Sequence, residues 1–423
     1  MDRVDPSGPA VSRDELELLQ RLVVDVRPAY VEDLAMLVNI DSGSYTKAGV
    51  DRIGRWVRQF LERLGARLEV HPHPALGETV VGTFDGSPGG RRILLVGHMD
   101  TVFDEGTAAA RPFRLDAGRA YGPGVTDMKS GLLTGLYGLL VLRGMGSVAS
   151  DGDTTLPFER LTFIANPDEE IGSPSSTPII REVARAADAC FVLECARANG
   201  DIVSSRKGIL DARVTVHGRA AHAGVEPEKG RSAILAAAHL VPALHALTGR
   251  WPGVTCNVGV IGGGTRPNVV PEEARLEVDL RAVTREHLEA AEAEVRALIA
   301  APAVQDVSIE MEPMARWWPM EKLERSGRLV DLAVGLAARL GFELHDTATG
   351  GASDANTTAG MGIASLDGLG PIGGMDHSPA EYLELDSIVP RTSLLAGLLL
   401  AVARDPVVAG WRQESPSGAA QPT

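Results

Sequence analysis

Apolar positions along this chain recur in two rhythms. "DELELLQRLVVDV" carries them at helical spacing, and Pro28 then suits the first turn of a second helix, "AYVEDLAMLVNI". "VDRIGRWVRQFLERLG" is another helical stretch, closed by a glycine cap. Short, nearly unbroken apolar runs follow in "RRILLVGHMDTV", "RLTFIA" and "ADACFVLE", the signature of buried strands. Helical stretches, "MKSGLLTGLYGLLVLRGMG" and "STPIIREVARAA", separate them. The alternation predicts an α/β fold, a sheet with helices on both faces.

Near residue 207 the rhythm changes. "GILDARVTVHG" alternates, as a half-exposed strand does. A helix ("GRSAILAAAHLVPALHALT"), the strands "TCNVGVIGG" and "EEARLEVDLRAV", a helix ("REHLEAAEAEVRALI") and the strand "DVSIEME" follow. Strand-helix-strand-strand-helix-strand is the order of a ferredoxin-like α+β domain. The helix "EKLERSGRLVDLAVGLAARLG" then restores the first style. The expected organisation is a discontinuous α/β domain, 14–206 and 320–410, interrupted by an inserted domain at 207–319. Tails are expected at 1–13 and 411–423, and a surface loop at "SVASDGDTTLP".

A chain of 423 residues fits two or three domains of roughly 150 residues each. Its net charge of −15 argues against generic binding of nucleic acid or an anionic membrane. An anionic small substrate is still compatible, because a few arginines reverse the field inside a cleft. Cys190, Cys195 and Cys256 are odd in number and form no C-x-x-C pair, which fits a reducing compartment. The polar N-terminus lacks a signal-peptide core, and apolar runs such as "LLTGLYGLLVL" are short and glycine-interrupted. The expectation is a cytoplasmic protein with no membrane partner.

Polar residues of metal-ligand type follow the strand ends: His98 after "ILLVG", Glu169 after "LTFIA", Glu194 after "CFVL". In open α/β sheets, sites gather at the carboxyl ends of strands. Each residue alone has a plainer reading. His98 and Asp100 are two apart, so Asp100 either orients a ligand imidazole or sits beside it by accident. Asp127, in "YGPGVTDMKSG", is a helix N-cap or a ligand, with Lys129 then a first-turn surface residue. Glu194 marks the mouth of a site or the start of a loop, with Cys195 beside it a small buried hydrophobe. His377 and His222 lie in loops of small residues. Together, two histidines and several carboxylates suit a divalent metal of borderline softness, and a shared Asp could bridge two such ions. Adjacent Glu169 and Glu170 in "NPDEEIGS" could then divide the work, one neutralising a metal and the other taking a proton. That division needs a turn between them, which Pro167 and Gly172 favour.

These motifs together resemble the co-catalytic dizinc family of aminoacylases and carboxypeptidases. The matching stretches are "GHMDTV", "YGPGVTDMKSG", "NPDEEIGS", "FVLE", "GRAAHAG", "GGTRPNVVPEEA", "GGASDA" and "MDHSPAEY", spread from about Asp14 to about Asp405. "AYGPG", "DTV" and the "PF" of "ARPFRLD" look most like its folate-hydrolysing glutamate carboxypeptidase branch. The resemblance implies two Zn²⁺ ions, or Co²⁺ or Mn²⁺ in their place. One would be held by His98, Asp127 and Glu194, the other by Asp127, Glu170 and His377. Asp100 would orient His98, Glu169 would be the general base, and the Asp127–Met128 peptide would be cis. The insert resembles the family's lid and dimerisation domain, so a homodimer is implied, with His222 reaching the partner's site to stabilise an oxyanion. Asn268 would bind substrate, Arg281 and Arg316 would meet a substrate carboxylate, and Gly350, Gly351 and Ser353 would shape the pocket wall. Lid closure would turn on a hinge near 206–208 and 318–321.

The function implied is hydrolysis of an amide, releasing a C-terminal, glutamate-like amino acid from an N-acyl amino acid or short peptide. The alternative within the same chemistry is a deacylase of the acetylornithine or succinyl-diaminopimelate type. The alternative from another class is an inactive metal-dependent binding protein.

Overall fold

In the computed structural model the described residues are 10–149 and 156–411. The chain starts with α1 (Arg13–Val38) and α2 (Lys47–Arg63), then β1 (Arg67–His71), β2 (Thr79–Asp85), β3 (Arg92–His98), the one-turn α3 (Thr107–Ala110), β4 (Arg114–Asp116), β5 (Arg119–Tyr121) and α4 (Ser130–Ala149). Next come β6 (Arg160–Asn166), α5 (Thr177–Ala184), β7 (Ala189–Val192) and β8 (Ile202–Arg206). The insert holds β9 (Gly208–His217), β10 (Ala221–His222), α6 (Ala233–His245), β11 (Thr255–Gly263), β12 (Val269–Val270), β13 (Glu273–Ala282), α7 (Arg285–Ala300) and β14 (Ser308–Trp317). The chain returns through α8 (Glu324–Leu340), β15 (Asp346–Thr349), α9 (Asp354–Gly360), β16 (Ala364–Leu366), β17 (Gly373–Gly374), β18 (Tyr382–Glu384) and α10 (Ile388–Arg404).

Two compact units result. One comprises the chain up to Ser204, Lys322–Ala348 and the chain from Ser353; the other comprises Ser205–Glu321 and the short segment Thr349–Ala352. The first is built on a mixed sheet in the order β1-β2-β6-β3-β7-β16, with helices on both sides. β6, β3, β7 and β16 run parallel, while β1 and β2 are antiparallel additions at one edge. The parallel strands are buried on both faces, which is why "ILLVG" and "ACFV" read as continuous apolar runs rather than alternations.

Among the described residues one stretch, Leu385–Arg404, is long and apolar enough to cross a membrane, and most of it is buried inside the fold. It is apolar all round because α1, α4 and α8 pack against it. The sequence expectation that every apolar run is too short therefore overlooked α10.

Pro28 does not start a new helix. It lies inside α1, which runs unbroken through it. Pro28 is exposed, so the carbonyl it leaves without a partner faces water. The inner ends of the expected tails are also ordered parts of the core: Val11 and Trp411 are buried. The rest of both tails, and most of the expected 147–157 loop, lie outside the described residues.

The second unit is an antiparallel sheet in the order β11-β13-β9-β14, the ferredoxin-like arrangement. β9 alternates as its sequence predicts: Leu210, Ala212, Val214 and Val216 are buried, with half-buried residues between them. The buried face packs with Ala236, Leu240 and Leu244 of α6 and Leu288 and Val295 of α7 in a core of its own.

Candidate metal centre

The carboxyl ends of three parallel strands carry the site. His98 is the last residue of β3, Glu169 and Glu170 follow β6, and Glu194 follows β7. The parallel pairings β3–β6 and β3–β7 put these ends on one side of the sheet.

After β6 the chain turns sharply. Glu169–Ile171 form a single 3-10 turn that ends at Gly172, whose φ of 90° is left-handed. The turn brings the neighbouring side chains of Glu169 and Glu170 to one place, which an extended strand would not do. Asp168 does not join them. Its oxygens accept from Ser175 N at 2.6 Å, Ser175 Oγ at 2.7 Å and Ser176 Oγ at 2.6 Å, so it braces the turn from behind.

Asp127 arrives on the loop between β5 and α4. Gly122 and Gly124 there have φ of 145° and 72°, and a Cβ on them would lie 2.4 Å from Val38 Cγ1 and 2.5 Å from Thr101 Cγ2. Only glycine fits this loop, and the Asp127–Met128 peptide is cis. Lys129 is not on the surface. It is 1% exposed, and its Nζ donates to Ile40 O at 3.0 Å and Pro123 O at 3.2 Å. The loop carbonyls capture an amine that helical spacing alone would leave in water. Burial lowers its pKa to about 8.

The side chains converge as follows. Asp127 Oδ1 lies 3.2 Å from His98 Nε2, and Asp127 Oδ2 lies 3.1 Å from His377 Nε2. His98 Nε2 is 3.5 Å from Glu194 Oε1 and 4.0 Å from Glu169 Oε2. His377 Nε2 is 3.2 Å from Glu170 Oε2. Donor atoms of His98, Glu169 and Glu194 lie within 4.8 Å of one another, as do those of His98, Asp127 and Glu170. Glu169 stands farther from His98 than Asp127 and Glu194, the carboxylates expected to be fellow ligands of that histidine, but within the same cluster of donor atoms. On the far side of the ring, His98 Nδ1 faces Asp100 O at 3.0 Å and Asp100 Oδ1 at 3.3 Å. Asp100 also accepts Ser44 Oγ at 2.6 Å and the backbone N–H groups of Glu169 and Glu170 at 3.1 and 3.2 Å. Cys195 is buried, as a small hydrophobe would be, and its Sγ lies 3.6 Å from Asp376 Oδ2.

The electrostatics call for positive charge. Burial pushes the Glu169 carboxyl well above its ordinary range, raises Glu194, and lifts Glu170 to about 7. Hydrogen bonds to Asp127 and Glu170 raise His377 to about 10. Burial works against a charged His98, but hydrogen bonds to Asp100, Asp127 and Glu194 raise it well above the usual value. Glu170 Oε1 is buried with no hydrogen-bond partner. A buried carboxylate oxygen without a donor, among carboxylates that burial disfavours as anions, fits a divalent cation. The donor set of imidazole nitrogens and carboxylate oxygens suits a borderline metal.

The remaining expected residues lie in the second unit, except Ser353, which belongs to the first. His222 is exposed on β10, which pairs with β12, and Asn268 O accepts from Ala223 N at 3.0 Å, so His222 and Asn268 are neighbours. His222 Nδ1 accepts from Gly224 N at 3.2 Å, which in the neutral ring leaves the proton on Nε2, free to donate. Arg281 grips Asp279 through Nε and Nη2 and donates to Gly350 O at 2.9 Å. Arg316 is held by Glu292 at 2.6 Å and lies over the Trp318 ring. A Cβ on Gly350 would meet open space, and one on Gly351 only Arg206 Nη1 at 3.8 Å, so packing does not demand glycine there. Ser353 is no open wall: it is buried and caps α9, accepting from Ala355 N and donating to Asp367.

Sequence reasoning passed over Glu381, whose carboxylate accepts Gly124 N, Thr126 N and Asp127 N at 2.9, 2.9 and 3.1 Å. It also passed over Asp354, which takes Ser173 Oγ at 2.6 Å and Asn166 Nδ2 at 2.8 Å beneath the Glu169 turn. The available signals were "HSPAE", a carboxylate four residues after His377, and the Asp of "GGASDA".

A carboxylate-and-histidine centre at the carboxyl edge of a parallel sheet is the architecture of a metal-dependent hydrolase. Residues 204–307 match the family model described as "Peptidase dimerisation domain". The chain is 30% identical over 400 residues to carboxypeptidase G2 of Pseudomonas sp. (strain RS-16), covering 93% of this chain and 94% of that one. It is 28% identical over 274 residues to acetylornithine deacetylase of Proteus mirabilis (strain HI4320), covering 60% of this chain and 67% of that one. Its fold matches aminopeptidase PepT of Bacillus cereus with a TM-score of 0.74, at 23% identity, over 89% of this chain and 99% of that one. The chain belongs to the M20 family, the co-catalytic dizinc aminoacylases and carboxypeptidases. It is a metallopeptidase or amidohydrolase of that metal-dependent family.

Proposed function

We propose that this chain is a dizinc hydrolase that releases a C-terminal, glutamate-like amino acid from an N-acyl amino acid or short peptide. The observation that carries the two-ion reading is Asp127, whose two oxygens face two different imidazoles, at 3.2 and 3.1 Å. His98 and Glu194 would complete one position, and Glu170 and His377 the other. The ions would polarise the amide carbonyl and make an attacking water more acidic.

The chain's own residues do the rest. Glu169 takes the proton of the attacking water on its carboxylate and returns it to the leaving amine. Burial raises its pKa, which makes its carboxylate a stronger base toward the proton of the water. Asp100 keeps His98 and the Glu169 turn in place. His222, with a proton to donate at Nε2, is assigned the oxyanion and Asn268 the neighbouring substrate atoms. Arg281 is assigned the substrate carboxylate, since a guanidinium has five N–H donors and its bonds to Asp279 and Gly350 leave some unused. Arg316 would first have to leave Glu292. A glutamate-like product is supported by the 30% identity to carboxypeptidase G2 and by 38% identity over 90 residues to a p-aminobenzoyl-glutamate hydrolase homolog from Haemophilus influenzae. The second reading, deacylation of an N-acyl amino acid, is supported by the likeness to acetylornithine deacetylase.

The proposal includes a homodimer through the inserted domain. It is supported by the match at 204–307, and by the edge strand β11, where Val260 and Ile261 are 54% and 56% exposed beside exposed Ile234 and Leu235 of α6. A cytoplasmic location is supported by three free cysteines.

The test is release of free amino acid from a panel of N-acyl-glutamates, N-acetylornithine and dipeptides, with and without a chelator. Turnover confined to acidic C-terminal residues, abolished by the chelator and restored by Zn²⁺, is expected. Turnover of N-acetylornithine alone would move the chain to the deacylase reading.

A further inference from the structure

We infer that Glu381 is a positioning residue that sets the affinity of one of the two metal positions, the one formed by Asp127, Glu170 and His377. The inference rests on the two-ion reading above. His377 has a φ of 59° in the turn between β17 and β18, two strands that pair Gly373 with Leu383 and Gly374 with Tyr382. β18 also pairs with β5, Tyr382 opposite Tyr121, and the chain leaves β5 directly into the loop that carries Asp127. The two surfaces are in close contact, since a Cβ on Gly373 would lie 2.1 Å from Thr126 Oγ1.

Glu381 closes this joint. Its side chain is 1% exposed. Oε2 accepts Gly124 N at 2.9 Å, while Oε1 accepts Thr126 N at 2.9 Å and Asp127 N at 3.1 Å. The last of these is the backbone of the bridging carboxylate itself. Just before β18, Glu381 N donates to Ser378 O at 3.3 Å, tying it to the turn of His377. One carboxylate therefore fixes the backbone of Asp127 relative to His377. His98 and Glu194, by contrast, are fixed by β3 and by the end of β7, whereas the Glu381 carboxylate bonds the loop of Gly124, Thr126 and Asp127. Loss of the carboxylate should loosen the position that needs His377 more than the position that needs His98.

Glu381→Gln tests this with little change in volume. An amide offers one acceptor oxygen in place of two, so at least one of the three N–H groups then faces an NH₂ donor. The control is Glu384→Gln, which removes an acid three residues further on, in β18, where it pairs with Arg119 near the surface. Full-length protein would be stripped, titrated with Zn²⁺ by calorimetry, and its metal content measured after dialysis. Co²⁺ spectra would follow the filling of each position.

The expected result is one ion bound as in the wild type and the second weakened about 10- to 100-fold, with the melting midpoint of the stripped protein close to that of wild type. Glu384→Gln should bind both ions normally. If Glu381→Gln does not fold, Glu381→Asp, which keeps both acceptors but draws them back, should show the same selective loss. Unchanged affinity for both ions, or equal weakening of both with a lower stripped-protein midpoint, would overturn the inference. A wild-type protein that takes up only one ion would sink the two-ion reading and this inference with it.

Discussion

The carboxylate of Asp100 accepts the backbone N–H of Glu169 at 3.1 Å. Its other oxygen accepts the N–H of Glu170 at 3.2 Å, and the same residue faces Nδ1 of His98. Asp100 thus touches the imidazole of His98, proposed as a ligand, and the backbone of both the proposed general base, Glu169, and a second proposed ligand, Glu170. Replacing it with Asn puts an amide NH₂ against one of these N–H groups. Turnover of Asp100→Asn should fall, and metal affinity should weaken by about 10- to 100-fold. Steady-state rates and a zinc titration on the same preparation check this. Ser44→Ala, which removes only the hydroxyl donor at 2.6 Å, should have a smaller effect on both.

Glu169→Gln separates the enzyme from a metal-dependent binding protein. The amide cannot carry the proton, so turnover should fall by about 10²- to 10⁴-fold. Metal content should be retained. A binding protein would have no turnover to lose, and full activity in the variant would remove Glu169 from its role.

Arg281→Ala should raise KM for substrates that end in glutamate, by roughly ten- to a hundred-fold for a lost charge-assisted contact of about 1.5–3 kcal/mol. KM for a substrate with a neutral C-terminal residue should move little. Because Asp279 loses its partner at the same time, Arg281→Lys is a useful companion: it keeps the charge without the fork. Unchanged KM for acidic substrates would leave the carboxylate without this clamp.

Away from the site, Glu15 ties the start of α1 to Arg404 at the end of α10, at 2.8 Å. The hydrogen bond from Arg404 lowers its pKa from 4.5 to about 2. A lowered folded-state pKa stabilises the protein above the unfolded value, and the gain is lost as pH falls through the folded value. Gln at position 15 still completes the capping box with Ser12 but carries no charge. Glu15→Gln should therefore cost up to about 1 kcal/mol near neutral pH, since the pair is partly solvated. The difference in urea midpoint between variant and wild type should close as the pH approaches 2.

Periodicity made the element order legible, because a buried parallel strand and a half-exposed antiparallel one impose different apolar rhythms on the chain. The residues that the centre gathers were legible too: His98, Glu169, Glu170 and Glu194 follow strand ends, and Asp127 sits among glycines that its loop requires. These are local facts, set within a few residues by backbone geometry.

What only the tertiary structure decided lies at longer range. Pro28 stays within one helix because its face of α1 is exposed. Lys129 is buried because carbonyls of Ile40 and Pro123 meet its amine. Arg316 is drawn to Glu292, and Ser353 is spent on a helix cap. Above all, the pairing of Asp127 with two histidines 29 and 250 residues away depends on β18 lying beside β5 and on Glu381 reaching across. Sequence spacing specifies which residue types stand at the ends of elements. Which hydrogen-bond donors meet which acceptors follows from packing, because that requires segments far apart in the chain to be brought together.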